Sequence, residues 1–403
     1  MAVEPEQHAA FRAEARTFLA ANARPKKESS LWELSFHTDP DDAADAFESG
    51  RAWQHKLFEH GFAGLTYPVE LGGRGGEPWM ERILAEEAAG YDASSGFIAS
   101  TIAMLGPTIM KWGTDEQRVA LVPRLLSGED AWCQLFSEPG AGSDLASLGC
   151  RAVRDGDQFI VSGQKVWNSA AQWCTHGMLL VRTDPDVPKH RGITFLLVEM
   201  ARSGIEVRPL VQANGSQHFN EVFLDEVRIP VGNVLGEVDN GWRVARTVMT
   251  NESALIGGDS RASSYRRLLA LAALFDKAGD PIVRQGLANC YIREQVLGFM
   301  GDRIMAAIRR REVPPVDPSI LKLFVAENAV YQGNLAMAIA GPAALTGDAV
   351  ARWTQATLLH RYPISIGGGT NEVQRNNLAE RALGLPRESR DDHELPWKDL
   401  PRN

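Results

Sequence analysis

Between about Cys133 and Asn240 the hydrophobic period of this chain changes from helical to alternating, and after Asn240 it changes back. Few architectures survive that switch, because a pattern with helical period does not sit stably as a strand, nor the reverse. Before the switch, Ala9–Asn22 and Glu81–Tyr91 carry apolar residues at helical spacing. Thr114-Asp-Glu-Gln117 reads as a capping box for a helix ending near Leu126. A Gly/Pro loop, Leu65 to Gly76, lies between them. After the switch, Ala152-Val-Arg and Phe159-Ile-Val flank Asp155-Gly156, which is a hairpin signal. Short β-rich runs follow at Met178–Arg182, Ile193–Val198, Ile205–Leu210 and Val222–Ile229, spaced by turn residues as in a small barrel or sandwich. Helical periodicity then holds to about Arg387, interrupted at Ala278–Pro281 and Val313–Pro318. The expected organisation is an N-terminal helical domain (1–132), a middle β-barrel domain (133–239), a C-terminal helical bundle (240–387) and a loosely held charged tail (388–403). The fold class is mainly α with a central β-barrel.

The stretch from Gln134 to Ser169 narrows the chemistry. It opens with S-E-P-G-A-G-S-D (Ser137 to Asp144) and closes with G-Q-K-V-W-N-S (Gly163 to Ser169). A Pro-Gly-Ala-Gly turn leaves backbone N–H groups unshielded, and the hydroxyls of Ser137 and Ser143 add donors that rotate to suit a polar ring edge. In an extended strand Trp167 and Ser169 share a face. An aromatic plane beside hydrogen-bond donors suits a flat heteroaromatic cofactor, and a flavin is the obvious candidate.

Composition removes several classes. A net charge of −9 argues against a nucleic-acid partner, which needs a basic stripe. No apolar run approaches a membrane span, and the opening M-A-V-E-P-E-Q-H lacks a signal-peptide pattern, so a cytoplasmic location is expected. Four scattered cysteines (Cys133, Cys150, Cys174, Cys290) contain no C-x-x-C pair, and the histidines show no ligand spacing, so no metal site is expected. There is no Walker A loop and no G-x-G-x-x-G after a strand; a dinucleotide would bind outside a Rossmann fold.

Four runs together resemble the acyl-CoA dehydrogenases: the two quoted above, F-N-E-V-F-L-D-E-V-R-I-P (Phe219 to Pro230) and G-T-N-E-V-Q-R-N (Gly369 to Asn376). The resemblance implies the acyl-CoA dehydrogenase fold, with an N-terminal helical domain, a β-barrel and a C-terminal four-helix bundle. It also implies FAD, an acyl-CoA substrate desaturated between Cα and Cβ, and an electron-transfer flavoprotein as acceptor. By the same resemblance Phe136, Ser137, Gly142, Ser143, Trp167 and Ser169 line the flavin, and Ser143 also lies near the thioester. Thr370 and Glu372 approach the cofactor from the C-terminal domain. A homodimer or homotetramer is expected, with a heteromer as a further possibility.

The reaction needs a carboxylate to remove the α-proton. In many family members it directly precedes the Gly-Thr of the C-terminal motif, but here I-G-G-G-T places Gly368 there. A second arrangement in the family puts the Glu eleven residues after the glycine opening the first bundle helix, and counting from Gly241 reaches Glu252. Its helical neighbours Val248, Met249, Leu255 and Ile256 are apolar, which raises a carboxyl pKa and suits a base. The alternative is an acid paired with Arg246 or Arg261. The branch usually has Arg directly after this Glu; Ser253 stands there instead, and the resemblance makes it a candidate substrate contact in place of that Arg.

Two more departures bear on the cofactor. By resemblance the family carries an R-x-T/S-F run after the first bundle helix, whose Arg reaches the pyrophosphate, and this chain lacks it. Arg284-Gln285 falls where the family has a cofactor-contacting pair, so Arg284 either supplies the lost charge or is a surface residue. The family's Q-x-x-G-G reads A-I-A-G-P here, Ala338 to Pro342. These departures keep two further readings open: a flavin-binding or non-catalytic subunit of a heteromeric dehydrogenase, and an oxidase or monooxygenase on the same fold.

Overall fold

The computed structural model describes residues 5–26, 31–32, 34, 37, 39–258, 264–310, 312, 318–387 and 394–401. Among the described residues five α-helices precede the main sheet: α1 (Glu6–Asn22), α2 (Pro40–Glu59), α3 (Pro78–Ala88), α4 (Phe97–Trp112) and α5 (Asp115–Ser127). Helix α5 starts where its sequence requires. The Thr114 hydroxyl accepts from the Gln117 amide, and the Gln117 side chain accepts from the Thr114 amide. Two short strands, β1 (Arg24–Pro25) and β2 (Tyr91–Asp92), pair antiparallel among these helices. Phe11, Phe18, Leu19, Phe62, Leu65 and Ile83 form the apolar seam of α1, α3 and the chain after α2.

The sheet contains β3 (Trp132–Leu135), β4 (Arg151–Asp155), β5 (Gln158–Ser169), β6 (His176–Arg182), β7 (Ile193–Glu199), β8 (Ile205–Leu210) and β9 (Phe219–Pro230). Strands β4 and β5 form the expected hairpin across Gly156, whose φ of +63° is the conformation glycine tolerates best. Strands β3 and β4 lie in line along one edge of β6, whose other edge carries β7; β5, β9 and β8 continue the sheet. It is a curled seven-stranded sheet with its own apolar interior of Val161, Leu179, Val181, Val198, Val222 and Val227.

Among the described residues six α-helices follow: α6 (Gly241–Gly258), α7 (Ser264–Leu274), α8 (Pro281–Arg309), α9 (Pro318–Ala340), α10 (Ala349–Ile366) and α11 (Asn371–Asn377). Leu268, Leu271, Val283, Leu287, Cys290, Ala336, Ile339 and Trp353 pack the bundle formed by α7 to α10. One core cluster joins all three regions: Leu105 and Ile109 of α4, Leu125 of α5, Phe195 and Leu197 of β7, and Val244, Ala245 and Val248 of α6. Helix α6 therefore sits wedged between the N-terminal helices and the sheet.

The tail departs from expectation. Residues 394–401 are not loose but lie against the β6–β7 connection, with Pro396 bridged to Pro188. The interruption at Val313–Pro318 falls largely outside the described residues.

Candidate active site

Helix α6 begins at Gly241 because nothing larger fits there. A Cβ at Gly241 would lie 2.3 Å from the Phe195 backbone nitrogen, so the helix start rests directly on β7. Two polar contacts fix its rotation against α4: Trp112 Nε1 donates to Thr247 Oγ1 at 3.0 Å, and Asn251 Nδ2 donates to Met104 O at 3.1 Å. With that orientation, the Glu252 carboxyl reaches the sheet and accepts a hydrogen bond from the Gln134 side chain of β3. Burial pushes its pKa above the ordinary value of 4.5, and the Gln134 bond offsets part of the rise. The alternative pairing with Arg246 finds no support, since Arg246 is exposed and no ion pair joins it to Glu252 among the described residues. The side chain of Ser253, and those of Leu255, Ile256 and Arg261, lie outside what the structure describes.

Gln134 also opens the cofactor-like loop. The Glu138 and Ala141 amides and carbonyls pair with each other, closing a tight turn over Pro139-Gly140. Gly142 and Ser143 are exposed, and their amides donate to no acceptor among the described residues. The Glu138 carboxylate turns inward, accepting from Gly149 N (2.7 Å), Cys150 N (2.8 Å) and Lys165 Nζ (2.7 Å). Lys165 is 0 % exposed and donates also to Phe136 O at 3.1 Å. This buried charge pair was not anticipated from the sequence, although E-P-G-A-G and Q-K-V-W place both residues inside the quoted motifs. Its effect is to leave the outer rim of the loop to neutral donors.

Trp167 is the main correction of geometry. The extended-strand premise that put Trp167 and Ser169 on one face does not hold, because β5 shifts register against β9 between Val166 and Asn168. Trp167 adopts φ +65° at that bulge, and its indole is 60 % exposed, edge-on to Phe219 at 6.1 Å. Asn168 is buried and its Nδ2 donates to Gln134 O at 2.8 Å. Ser169 is half-buried. The bulge thus presents an aromatic plane outward while tying β5 to the strand that touches Glu252. Phe136, expected to line a ligand, has a ring 3 % exposed and T-shaped to Phe195 in the core, and its carbonyl accepts from Lys165.

The remaining predicted residues lie on the bundle. Thr370 caps α11, its hydroxyl accepting from the Val373 amide, and Glu372 pairs with Arg375 at 3.2 Å. Gly368 has φ +64°, a conformation in which a glutamate would be strained. Arg284 is exposed on α8. Gln285 instead lines a groove between α8 and α9 with Asn289, Tyr331, Asn334 and Ala338, so the two departures from the family pattern share one surface. His360 of α10 approaches His218, next to Phe219; burial and this neighbour lower the His218 pKa.

A carboxyl kept basic by burial, a loop of free amides and an exposed indole are suited to deprotonating a carbon acid beside a flat cofactor. Comparison with known proteins agrees in kind. Profiles described as "Acyl-CoA dehydrogenase, N-terminal domain", "middle domain" and "C-terminal domain" match residues 5–129, 133–227 and 239–383. The acyl-CoA dehydrogenase IpdE1 of Mycobacterium tuberculosis is 36% identical over 389 residues, covering 94% of this chain and 98% of that one.

The chain belongs to the acyl-CoA dehydrogenase family.

It is an enzyme of that family, an oxidoreductase whose relatives are flavoproteins of lipid metabolism. Among solved structures it is similar to the Tcur3481-Tcur3483 steroid ACAD (TM-score 0.76, 28% identity, 96% of this chain and 99% of that one). It is also similar to the ChsE4-ChsE5 complex of Mycobacterium tuberculosis (TM-score 0.71, 29% identity, 96% and 100%). Among the described residues no helix of this acyl-CoA dehydrogenase is long and apolar enough to cross a membrane.

Proposed function

We propose that this chain catalyses FAD-dependent α,β-dehydrogenation of an acyl-CoA thioester, with Glu252 as the base. The observation that carries the reading is the Glu252 carboxyl held against Gln134 at the head of the loop, with its pKa raised by burial. Gly368, the other place for a base in this family, holds a glycine conformation. Residues suited to the cofactor are the exposed amides of Gly142 and Ser143, the hydroxyls of Ser137, Ser143 and Ser169, and the Trp167 plane. Open space where a Cβ at Gly142 would stand lets a ring edge approach that backbone. FAD, when bound, supplies the acceptor for the β-hydride. Glu252 takes the α-proton on a carboxylate oxygen, and the electron pair of that C–H bond becomes the new Cα=Cβ bond as hydride leaves Cβ. Gln134 holds the carboxylate in place through its side-chain amide. By the resemblance to the family, Ser143 would contact the thioester and Thr370 and Glu372 the cofactor, and an electron-transfer flavoprotein would take the two electrons.

The relatives point to a bulky acyl group. One solved relative is a steroid ACAD, and cyclohexane-1-carbonyl-CoA dehydrogenases are 32% identical over about half of this chain. We therefore assign ring-bearing acyl-CoA thioesters as the substrate class. The test is anaerobic bleaching of the flavin band by a panel of straight, branched and ring-bearing thioesters. Preference for the ring-bearing members is expected; bleaching by straight chains alone would refute the substrate class, and bleaching by none would refute the reaction.

A second reading, a subunit of a heteromeric dehydrogenase, is favoured by one observation. Gln285 and Ala338, where the family's cofactor contacts are altered, sit on one groove of α8 and α9. A purified chain that carries no flavin until a second related chain is added would support it.

A further inference from the structure

Residues 394–401 lie beyond the C-terminal family profile, which ends at residue 383, yet they make a dense set of specific contacts. Trp397 N donates to Val187 O at 2.9 Å and Lys398 N to Pro185 O at 3.0 Å. Lys398 Nζ pairs with Asp186 at 2.6 Å. These bonds lay the segment along the β6–β7 connection and drive the Trp397 indole inward. Its Nε1 donates to Ser147 O at 3.1 Å. Its six-membered ring lies 3.3 Å from where a Cβ at Gly149 would stand, so glycine there makes the room the indole needs. Its plane carries the Arg182 guanidinium 5.0 Å from the ring centroid.

Each of those partners holds the trailing half of the cofactor loop. Buried Arg182 donates to the carbonyls of Ala146 (2.6 Å), Lys189 (3.0 Å) and Arg191 (2.8 Å). The Gly149 amide donates to Glu138, which binds Lys165, which binds Phe136 O. An unbroken line of contacts therefore runs from the chain's end, through 147–149, to both sides of the turn that presents Gly142 and Ser143. Asp144, the next residue, is tied to Lys189 at 2.6 Å and to the Ser147 hydroxyl at 2.6 Å.

We propose that the segment around Trp397 is a strap that sets the position of the loop 137–150, with Trp397 as a positioning residue for the cofactor and thioester that loop takes. The ligand half of this statement rests on the flavin reading above; the strap half does not.

The experiment compares the full chain with Trp397→Ala, Trp397→Phe and a truncation after Arg387. Amide hydrogen exchange on the apoprotein is expected to accelerate about tenfold or more across 144–150 in Trp397→Ala and in the truncation, with α8 and α9 unchanged. FAD, titrated by quenching of its fluorescence, is expected to bind about tenfold more weakly to the same two proteins, because a loosened loop must be ordered on binding. Trp397→Phe keeps a ring under Arg182 and is expected to recover most of both effects. Unchanged exchange across 144–150, acceleration spread evenly over the whole chain, or an unchanged FAD Kd would each overturn the proposal. A full-length chain that takes up no FAD would sink the flavin reading instead, while the exchange pattern still decides the strap.

Discussion

A carboxyl whose pKa is raised by burial holds its proton more tightly in the folded chain than in the unfolded one. For Glu252, the unfolded chain releases that proton near the ordinary value of 4.5, while the folded chain keeps it until the raised value is passed. Across that window the folded state binds more protons, so stability falls as pH rises, and the loss persists above it. Glu252→Gln removes the titration. The variant's melting temperature relative to the parent is therefore expected to climb with pH, measured from pH 4 to 9. Activity runs the opposite way, because only the ionised carboxylate can take the α-proton. Single-turnover bleaching should rise with pH through an apparent pKa above 4.5. In Glu252→Gln, with FAD still bound, it should drop by about 10³-fold, in the range general-base removal produces. A variant that bleaches at the parental rate excludes Glu252 as the base.

At the scale of elements, two placements can be probed without touching Glu252. Gly241→Ala sets a methyl 2.3 Å from the Phe195 nitrogen, so α6 must lift off β7. Such overpacking costs about 1–3 kcal/mol. A base displaced by even ~1 Å loses on the order of 10²-fold in rate, so calorimetry and single-turnover bleaching should both register the change. Lys165→Met breaks the pair with Glu138 inside the sheet and is expected to cost about 3–5 kcal/mol in denaturant unfolding. Adding Glu138→Gln should recover part of that loss, since the uncompensated charge is then gone.

What the sequence revealed about these elements follows from how local their determinants are. The Asp155-Gly156 hairpin and the Thr114–Gln117 box depend on residues within a few positions, and both stand as read. The alternation at Trp167 misled because the bulge there is set by register against β9, some fifty residues onward. Nothing in the sequence pairs Lys165 with Glu138, which lies 27 residues earlier and meets it only when the turn folds one onto the other. In the tail, charge argued for looseness; the contrary signal was one Trp behind a Pro, with its recess at Gly149 far away in sequence. The burial of the Glu252 carboxyl was legible from its apolar helical neighbours Val248 and Met249, but its contact with Gln134 was not.

For the whole molecule the informative surface is one side of α8. Val283, Leu287, Cys290 and Leu297 face the bundle core, as a helix of this length requires. Yet Ile282, Ile292, Val296 and Phe299, interleaved with Gln285 and Asn289 at three- and four-residue steps, form a second stripe that is open. Ile282 is 83% and Phe299 64% exposed. A helix with apolar residues on both sides leaves a patch that in soluble chains marks an association surface, and the spacing fits a helix as its occupant. The expected state is a homodimer or homotetramer joined through this stripe. Ile292→Lys with Phe299→Lys should halve the mass seen by light scattering and leave the far-ultraviolet circular dichroism unchanged. Because Gln285 lines the groove beside the same stripe, the double variant should also lose FAD if a neighbouring subunit completes its site. A parent chain that is already monomeric, and acquires both mass and flavin only with a second dehydrogenase chain, would transfer the stripe to a heteromeric partner and exclude the homo-oligomer.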